Sequence, residues 1–117
     1  MKQNSPLREK ASYLSSEVLE LSDFLKKTRQ QAAINGQFRR SGTAVGALLS
    51  EAEFAQSRAD FINKLSVALK EAGETRYWLN LLIERNSISL EAGKLAMSLV
   101  NEVIRMLVSS LKTLKGQ

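Results

Sequence analysis

Apolar residues recur at alternating intervals of four and three along most of the chain, and this spacing constrains the fold more than any other feature. The first of four such seams consists of Leu7, Ala11, Leu14, Val18, Leu21 and Leu25. This spacing is typical of helices that pack in a bundle. The only proline is Pro6, so the strongest helix breaker is absent from the rest of the chain. The sequence therefore predicts an all-α protein of four helices.

Cap signals and breaks in the seams predict where each helix begins and ends. The first helix is expected from Pro6, behind an N-cap at Ser5, to near Arg29; the second from about Asn35 to Glu53; the third from a capping box at Ser57 and Asp60 to Glu84 or Arg85; and the fourth from a cap at Ser87 or Ser89 to near Leu114. Short connections between long helices force antiparallel neighbours. Residues 1–117 are thus predicted to form one domain, an antiparallel up-down-up-down four-helix bundle.

The composition excludes several kinds of chemistry. The chain has no cysteine and no histidine, which rules out disulfides, thiolate chemistry and histidine-based metal sites. No nucleophile–base set can be recognised, so we expect a non-enzymatic protein without a cofactor. The first residues lack the apolar stretch of a signal peptide, and no apolar run reaches the roughly 18 residues of a membrane span. We therefore expect a cytoplasmic protein that does not enter a membrane.

Two glycines lie four residues apart in the second predicted helix. Glycine inside a helix costs about 1 kcal/mol relative to alanine, so Gly42 and Gly46 need a compensating role. We expect both to lie on one helix face and to allow another helix to approach closely. The alternative is that this segment, which also contains serine and threonine, forms a loop.

A cluster of opposite charges is predicted where antiparallel helices place residues at the same level. A turn centred near residues 55–56 sets Arg40 beside Glu71, and a turn near residues 86–87 sets Glu71 level with Glu102. The predicted cluster consists of Arg39, Arg40, Glu71, Glu74 and Glu102. We favour the interpretation that its arginines pair with carboxylates across helices and fix the register. A carboxylate metal site and an anion site at the arginines are the alternatives.

Basic residues also concentrate at the bundle end where the first and third helices finish. This end is predicted to hold Lys26, Lys27, Arg29, Arg39, Arg40, Arg85 and Lys94, against Asp23, Glu84 and Glu91. It thus carries most of the net charge of +5. Such a surface suits contact with the phosphate backbone of RNA or DNA, which depends on salt and not on base sequence. The alternative is that these cations only favour helix C-termini and solubility.

Aromatic and apolar residues beyond the core predict self-association. Tyr77 and Trp78 are adjacent, so their side chains point about 100° apart and cannot both face one core. The fourth helix has two apolar stripes, one through Leu95 and Leu99 and another through Ala96, and such a helix must bury more than one side. The predicted subunit interface consists of Tyr77, Trp78, Val100, Ile104 and Leu107.

One stretch resembles a known family. It runs from Arg39 to Leu82 and reads R-R-S-G-T-A-V-G-A-L-L-S-E-A-E-F-A-Q-S-R-A-D-F-I-N-K-L-S-V-A-L-K-E-A-G-E-T-R-Y-W-L-N-L-L. It is similar to the R-S-G-T-S-x-G-A-N-I-x-E-A and A-D-F-I-x-K-L-x-I-A-L-K-E-A-x-E-T-x-Y-W-L elements of the 23S rRNA intervening-sequence proteins. Ala44 replaces the usual serine, and Leu48 and Leu49 replace Asn-Ile.

The resemblance implies a four-helix bundle that assembles into a ring, typically a pentamer, with an undefined biochemical role. A related branch, the accessory variability proteins of diversity-generating retroelements, is thought to bind nucleic acid and a reverse transcriptase. Together with the basic end, this favours an oligomeric protein that binds RNA or DNA. The alternative is a structural or protein-interaction module with no nucleic-acid role.

Overall fold

The computed structural model describes residues 5–116, which form four α-helices and their connections. The helices are α1 (Pro6–Lys27), α2 (Ala32–Ala52), α3 (Arg58–Glu84) and α4 (Leu90–Lys115). The all-α prediction is confirmed. The second helix begins three residues earlier than expected, because Gln31 turns the chain in a left-handed conformation with φ 48° and α2 starts directly behind it. None of these helices is long and apolar enough to cross a membrane.

Serine side chains cap three of the helices. Ser5 accepts a hydrogen bond from the backbone N–H of Arg8, Ser57 from that of Asp60, and Ser89 from that of Ala92. Each cap satisfies one of the N–H groups that a helix start leaves without an intrahelical acceptor. Ser89, and not Ser87, therefore starts the fourth helix.

Contacting residues follow one another in opposite directions along neighbouring helices, as an antiparallel bundle requires. Asn35 contacts Ser22, whereas Ser15, nearer the start of α1, contacts Gly42, further along α2. Each helix packs on two others, α1 and α3 both on α2 and α4. α2 and α3 are also antiparallel, since Arg40 contacts Glu71 and Glu51 contacts Lys64. α3 and α4 are antiparallel too, since Arg58 contacts Leu114 and Arg76 contacts Asn101. The predicted up-down-up-down bundle is thus confirmed, and it measures 46 × 22 × 20 Å.

The predicted seams form the core. All six seam residues of α1 are buried, and they pack with buried apolar residues of the other helices. In α4 the two predicted stripes are wrong in part, because one broad face is buried and its flanks are not. The buried residues of this face include Ala96, Leu99, Val100, Val103, Leu107 and Leu111, whereas Leu95 and Val108 are 55 % and 41 % exposed.

Gly42 and Gly46 lie within α2 and face α1, which confirms the predicted close contact between helices. A Cβ atom at Gly42 would lie 2.6 Å from Val18 Cγ1, and one at Gly46 would lie 3.2 Å from Ser15 Oγ. The Ser15 hydroxyl donates a 3.4 Å hydrogen bond to the Gly42 carbonyl. The glycines therefore allow side chains of α1 to pack directly against the backbone of α2.

Candidate nucleic-acid interface

The basic end of the bundle is built from two connections and the helix ends beside them. Lys26 and Lys27 lie in the last turn of α1, and Arg29 follows in the left-handed conformation with φ 55°. Arg85 is the C-cap of α3, and Lys94 lies near the start of α4. We call these five residues the basic rim. The rim cations therefore come from the ends of α1 and α3, the start of α4 and the α1–α2 connection, all at one end of the bundle.

All five rim side chains are exposed, and none forms an ion pair with another described residue. Arg39 and Arg40, which the sequence also assigned to this surface, differ in this respect. Arg39 Nη1 lies 2.9 Å from Asp23 Oδ1, and Arg40 is held by two carboxylates. At this end of the bundle, the cations available to an external anion are thus those of the rim. Lys70, Lys112 and Lys115 are also exposed and outside the ion pairs, but they lie elsewhere in the described chain.

Arg40 joins α2 to α3 through a network of ion pairs. Its Nη2 atom lies 3.2 Å from Glu71 Oε1 and 3.0 Å from Glu74 Oε1, and its Nη1 donates to Glu71 Oε2 at 3.2 Å. The hydrogen bond to Glu71, the charge of Glu71 and the weaker effect of Glu74 raise the pKa of Arg40 above its ordinary value. This part of the predicted cluster is confirmed as a contact between helices.

Arg39 does not belong to that cluster, so its predicted membership is wrong. Adjacent helical residues point about 100° apart, so Arg39 turns toward α1 when Arg40 turns toward α3. Its Nη1 donates to Ser22 Oγ at 3.2 Å as well as to Asp23.

Glu102 also lies outside the cluster. Its Oε2 atom is 3.2 Å from Lys10 Nζ, on the side of α4 that faces α1. A turn centred near residues 86–87, which sets Glu71 level with Glu102, would also set Arg76 level with Met97, but Arg76 Nη1 donates to Asn101 Oδ1 at 3.0 Å. The two positions differ by four residues, about one helical turn. In the connection, Asn86 has a φ of 59° and Ile88 is buried.

A groove of about 560 Å³ lies beside the rim between α1 and α2. Its lining includes Lys26, Arg29, Gln30, Asn35 and Arg39. Asn35 Nδ2 donates to the Ser22 carbonyl at 3.1 Å, whereas Asn35 Oδ1 is closed off from solvent and has no hydrogen-bond partner within the described residues. An unpaired buried acceptor costs about 1–3 kcal/mol, so this oxygen needs an explanation.

Sequence reasoning missed this groove. It treated Asn35 as the start of a helix, and a helix start is where asparagine caps are common. The available signal was spacing, since Asn35, Phe38, Gly42, Val45 and Leu49 continue one seam at intervals of three and four. Since seam positions face the core, the spacing predicts that Asn35 is buried, and all five residues are buried in the structure.

The start of α2 differs from the starts of the other helices. Gln31 provides no side-chain cap, and the first turn of α2 contains no acidic residue. The first N–H groups of a helix have no intrahelical acceptor and carry the positive end of the helix dipole. This helix start therefore adds positive potential to the groove.

The residues predicted to form a subunit interface lie in different environments. Tyr77 is 60 % exposed and packs edge-on against Trp78, with ring centroids 5.0 Å apart. Trp78 is half-buried, and its Nε1 has no acceptor among the described residues. Ile104 is half-buried, but Val100 and Leu107 are wholly buried in the monomer core. Their assignment to an interface is therefore wrong, because α4 points them between the other helices.

A second groove, of about 540 Å³, lies between α3 and α4. Ile83, Leu90 and Met97 line it together with Lys94 of the rim. Within residues 5–116 as a whole, no group of three or more acidic side chains is arranged to hold a metal ion.

The fold and the rim together define a class, a small antiparallel four-helix bundle that carries five exposed cations without ion pairs at one end of its described residues. The chain belongs to the 23S rRNA-intervening sequence protein family, whose model matches residues 3–109. A crystal structure of a protein of unknown function from the S23 ribosomal protein family of Bacteroides thetaiotaomicron VPI-5482 superimposes with a TM-score of 0.87. The two chains are 42 % identical, over 91 % of this chain and 98 % of that one. The comparison with curated proteins found no match.

Proposed function

We propose that this protein is a non-enzymatic, cytoplasmic homo-oligomer that binds nucleic acid through its basic rim. The observation that carries the proposal is the set of exposed rim cations without ion pairs among the described residues, namely Lys26, Lys27, Arg29, Arg85 and Lys94. Cations already held by carboxylates gain little from a phosphate, whereas free ones release counterions from the nucleic acid when they bind.

The rim supports contact with the phosphate backbone and not with base edges. Its cations are lysines and arginines on helix ends, which suits contact with phosphates. Phe24, 49 % exposed, lies beside Lys26 and Lys27, but it is a single ring and not a row of aromatic residues that would stack successive bases. A single rim is a small surface, but an oligomer would present several rims to one strand. Linked weak sites gain affinity through effective concentration.

Two matched charge reversals test the rim. K26E/K27E changes the last turn of α1, and K112E/K115E makes the same charge change in the last turn of α4, at the opposite end. We expect wild type to bind labelled single-stranded RNA or DNA in an anisotropy titration at low salt and to lose affinity as salt rises. K26E/K27E should weaken binding far more than K112E/K115E. Equal weakening, or no binding by wild type at low salt, would overturn the proposal.

Self-assembly is the second part of the proposal. It is supported by large apolar side chains that the monomer leaves exposed on three helices, Tyr13 and Phe24 on α1, Tyr77 on α3, and Leu95 and Val108 on α4. The resemblance to ring-forming relatives adds a pentamer as the expected state. Light scattering at micromolar concentration should give a mass near five times the 13.0 kDa of one chain. A mass of one chain would contradict assembly.

A protein-interaction module without a nucleic-acid role is the alternative, and the apolar α3–α4 groove favours it. Leu90, which lines that groove, is 76 % exposed. The two functions differ in their response to Leu90→Ser, which reduces apolar surface without changing charge. A nucleic-acid protein keeps its affinity for RNA or DNA in this variant, whereas an interaction module loses its protein partner.

A further inference from the structure

One side of α1 is exposed and has no complement within the monomer. It consists of Glu9, Tyr13, Glu20 and Phe24, whose intervals of four, seven and four place them on one side of a helix. The two rings are 53 % and 49 % exposed, and neither glutamate forms an ion pair with another described residue. We call this acidic and aromatic surface the α1 face.

The side of the bundle formed by α3 and α4 has the opposite character. Ile83 and Met97 are half-buried and line its apolar groove, and Leu90, which is 76 % exposed, lies at the edge of that groove. Further along, Arg76 forms no ion pair with a described residue, and Arg105 lies 3.8 Å from a carboxylate of its own helix. We call this apolar and basic surface the α3–α4 face.

Gly73 gives the α3–α4 face an opening that the monomer does not use. It precedes Arg76 by three residues and Asn80 by seven, so it shares their side of α3. Glycine inside a helix costs about 1 kcal/mol relative to alanine. At Gly42 and Gly93 a close contact accounts for this cost, since an added Cβ would lie 2.6 Å and 3.0 Å from a side chain, but at Gly73 it would have nothing within 4 Å.

Contacts inside the bundle fix how α1 and α3 align along its axis. The Ser15 hydroxyl contacts the Gly42 carbonyl, and the adjacent Ser41 contacts Thr75. Ser15 and Thr75 are therefore nearly level. Since α1 and α3 run in the same direction, each α1 residue is level with the α3 residue 60 positions later, as Thr75 is with Ser15.

The same levels hold between copies in a closed assembly whose bundle axes are parallel, because closure allows rotation without translation along the axis. Phe24 of one copy is then within one residue of the level of Ile83 in the groove of its neighbour. Tyr13 is level with the open backbone at Gly73. Both exposed rings of the α1 face thus meet a complementary feature of the α3–α4 face.

We propose that the α1 face of one copy docks on the α3–α4 face of the next, with Phe24 in the groove against Ile83 and Tyr13 on Gly73. α1 and α3 lie at opposite corners of the bundle, since each packs on α2 and α4 and not on the other. One copy can therefore use both faces at once, which makes the contact head-to-tail. This inference rests on the self-assembly part of the proposed function.

Charge supports the same register. Lys10 Nζ lies 3.2 Å from Glu102 Oε2 within the monomer, so these two residues are nearly level. Glu9 precedes Lys10 by one residue, and it therefore falls about 3 Å along the axis from Arg105 of the neighbouring copy. The Arg105 side chain is 71 % exposed and only loosely held, so it is free to pair with Glu9.

The groove suits an aromatic ring because its own charges cancel. Its lining contains one cation, Lys94, and one carboxylate, Glu91. A lysine stem can cover an apolar contact while its ammonium stays in water, so Lys94 remains part of the rim when Phe24 is bound.

Matched glycine substitutions test the contact by light scattering of the full chain over a range of concentrations. Gly73→Gln gains helix propensity and has open space in the monomer, so the fold persists while the new side chain blocks Tyr13. Gly36→Gln makes the same change at a glycine of α2 that also has nothing within 4 Å. We expect Gly73→Gln to need at least about tenfold more protein than wild type to assemble, and Gly36→Gln to match wild type.

Phe24→Ser should weaken assembly as strongly, whereas Phe54→Ser, at a 79 % exposed ring between α2 and α3, should not. Glu9→Arg and Arg105→Glu should each weaken assembly, and the variant that carries both should recover it, because opposite charges again face each other. Circular dichroism confirms that each variant is folded.

A monomeric wild type overturns both self-assembly and this contact. An oligomer that Gly73→Gln or Phe24→Ser leaves unchanged overturns the contact but leaves self-assembly standing, as expected if the groove takes a different protein. Equal dissociation by Gly36→Gln or Phe54→Ser also overturns it, and so does a double charge variant that assembles no better than either single variant.

Discussion

At the residue scale, the contact between Gly42 and Val18 shows why a glycine is kept inside a helix. Alanine at this position would gain helix propensity but would place its Cβ 2.6 Å from a Val18 methyl carbon. Gly36, in the same helix, is exposed, and a Cβ added there would have nothing within 4 Å. A change to alanine at Gly36 therefore alters helix propensity alone, whereas the same change at Gly42 also alters the packing against α1.

Gly42→Ala is expected to destabilise the fold, because overpacking costs about 1–3 kcal/mol and exceeds the gain of about 1 kcal/mol in helix propensity. Gly36→Ala should stabilise it by about 0.5–1 kcal/mol. Both values are measured by denaturant unfolding. In a Val18→Ala background, Gly42→Ala should no longer destabilise. A Gly42→Ala variant as stable as Gly36→Ala would contradict the close contact.

Glu17 provides a test through pH. Burial, and to a lesser degree the charge of Glu20, raise the pKa of Glu17 above its ordinary value of 4.5. The folded state therefore holds this proton more tightly than the unfolded state, and stability falls as pH rises from the unfolded pKa through the folded one. Glu17→Gln should raise the unfolding temperature at pH 7, and the gain should vanish at about pH 3, below both pKa values. Glu20→Gln removes the repulsion but not the burial, so it should gain less.

To predict a contact from the sequence, one needs both the position of a residue along the bundle axis (its level) and the neighbouring helix that its side chain faces (its direction). The level of Arg40 and Glu71 followed from the short α2–α3 turn, and the contact is present. The direction of Arg39 did not follow, because a level does not specify which neighbouring helix a side chain faces. Asn35 was missed for a related reason, since its burial depends on where α2 begins, and a left-handed Gln31 is not evident from residue types.

At the scale of the element, α4 shows the difference between an apolar helix and an interface helix. Its apolar residues outnumber those that one seam needs, which predicted two buried sides. In the bundle a single broad face absorbs most of them, and Leu95 and Val108 remain outside. Helix lengths and pairing order were predictable from seam spacing. Which flank of α4 stays exposed was not, because the flank residues Leu95 and Val108 are as apolar as those of the buried face.

Arg40 and Arg39 allow the two kinds of link between helices to be compared. Arg40→Ala leaves Glu71, whose side chain is only 14 % exposed, without its partner, so we expect a loss of about 1–3 kcal/mol. Arg39→Ala frees Asp23, whose side chain is 69 % exposed, and should cost less than about 1 kcal/mol. Urea unfolding of both variants measures the difference. Equal losses would mean that Arg40 does not hold α2 and α3 together through Glu71.

At the scale of the whole molecule, the two ends of the bundle differ in which of their cations form ion pairs. At the end opposite the rim, Arg8 pairs with Glu53 at 2.7 Å, and Lys64 lies near Glu51 and Asp60. The sequence predicted a basic end from helix order alone. It did not separate held cations from free ones, because pairing requires the positions of side chains. Among the described residues, the rim holds five exposed cations without ion pairs, whereas Lys112 and Lys115 are also exposed and unpaired at the opposite end, and this excess makes the rim the candidate surface.

Lysine footprinting tests this account most directly, because it reads the contact surface without changing the protein. The full chain is acetylated lightly with and without a single-stranded RNA at low salt, and modification is quantified by mass spectrometry. All five reporter lysines are exposed, namely Lys26, Lys27 and Lys94 at the rim and Lys112 and Lys115 at the opposite end. The account predicts that RNA protects the rim lysines and that high salt removes the protection. The account would be contradicted if RNA protected Lys112 and Lys115 as much as the rim lysines. It would also be contradicted if RNA protected none of the five.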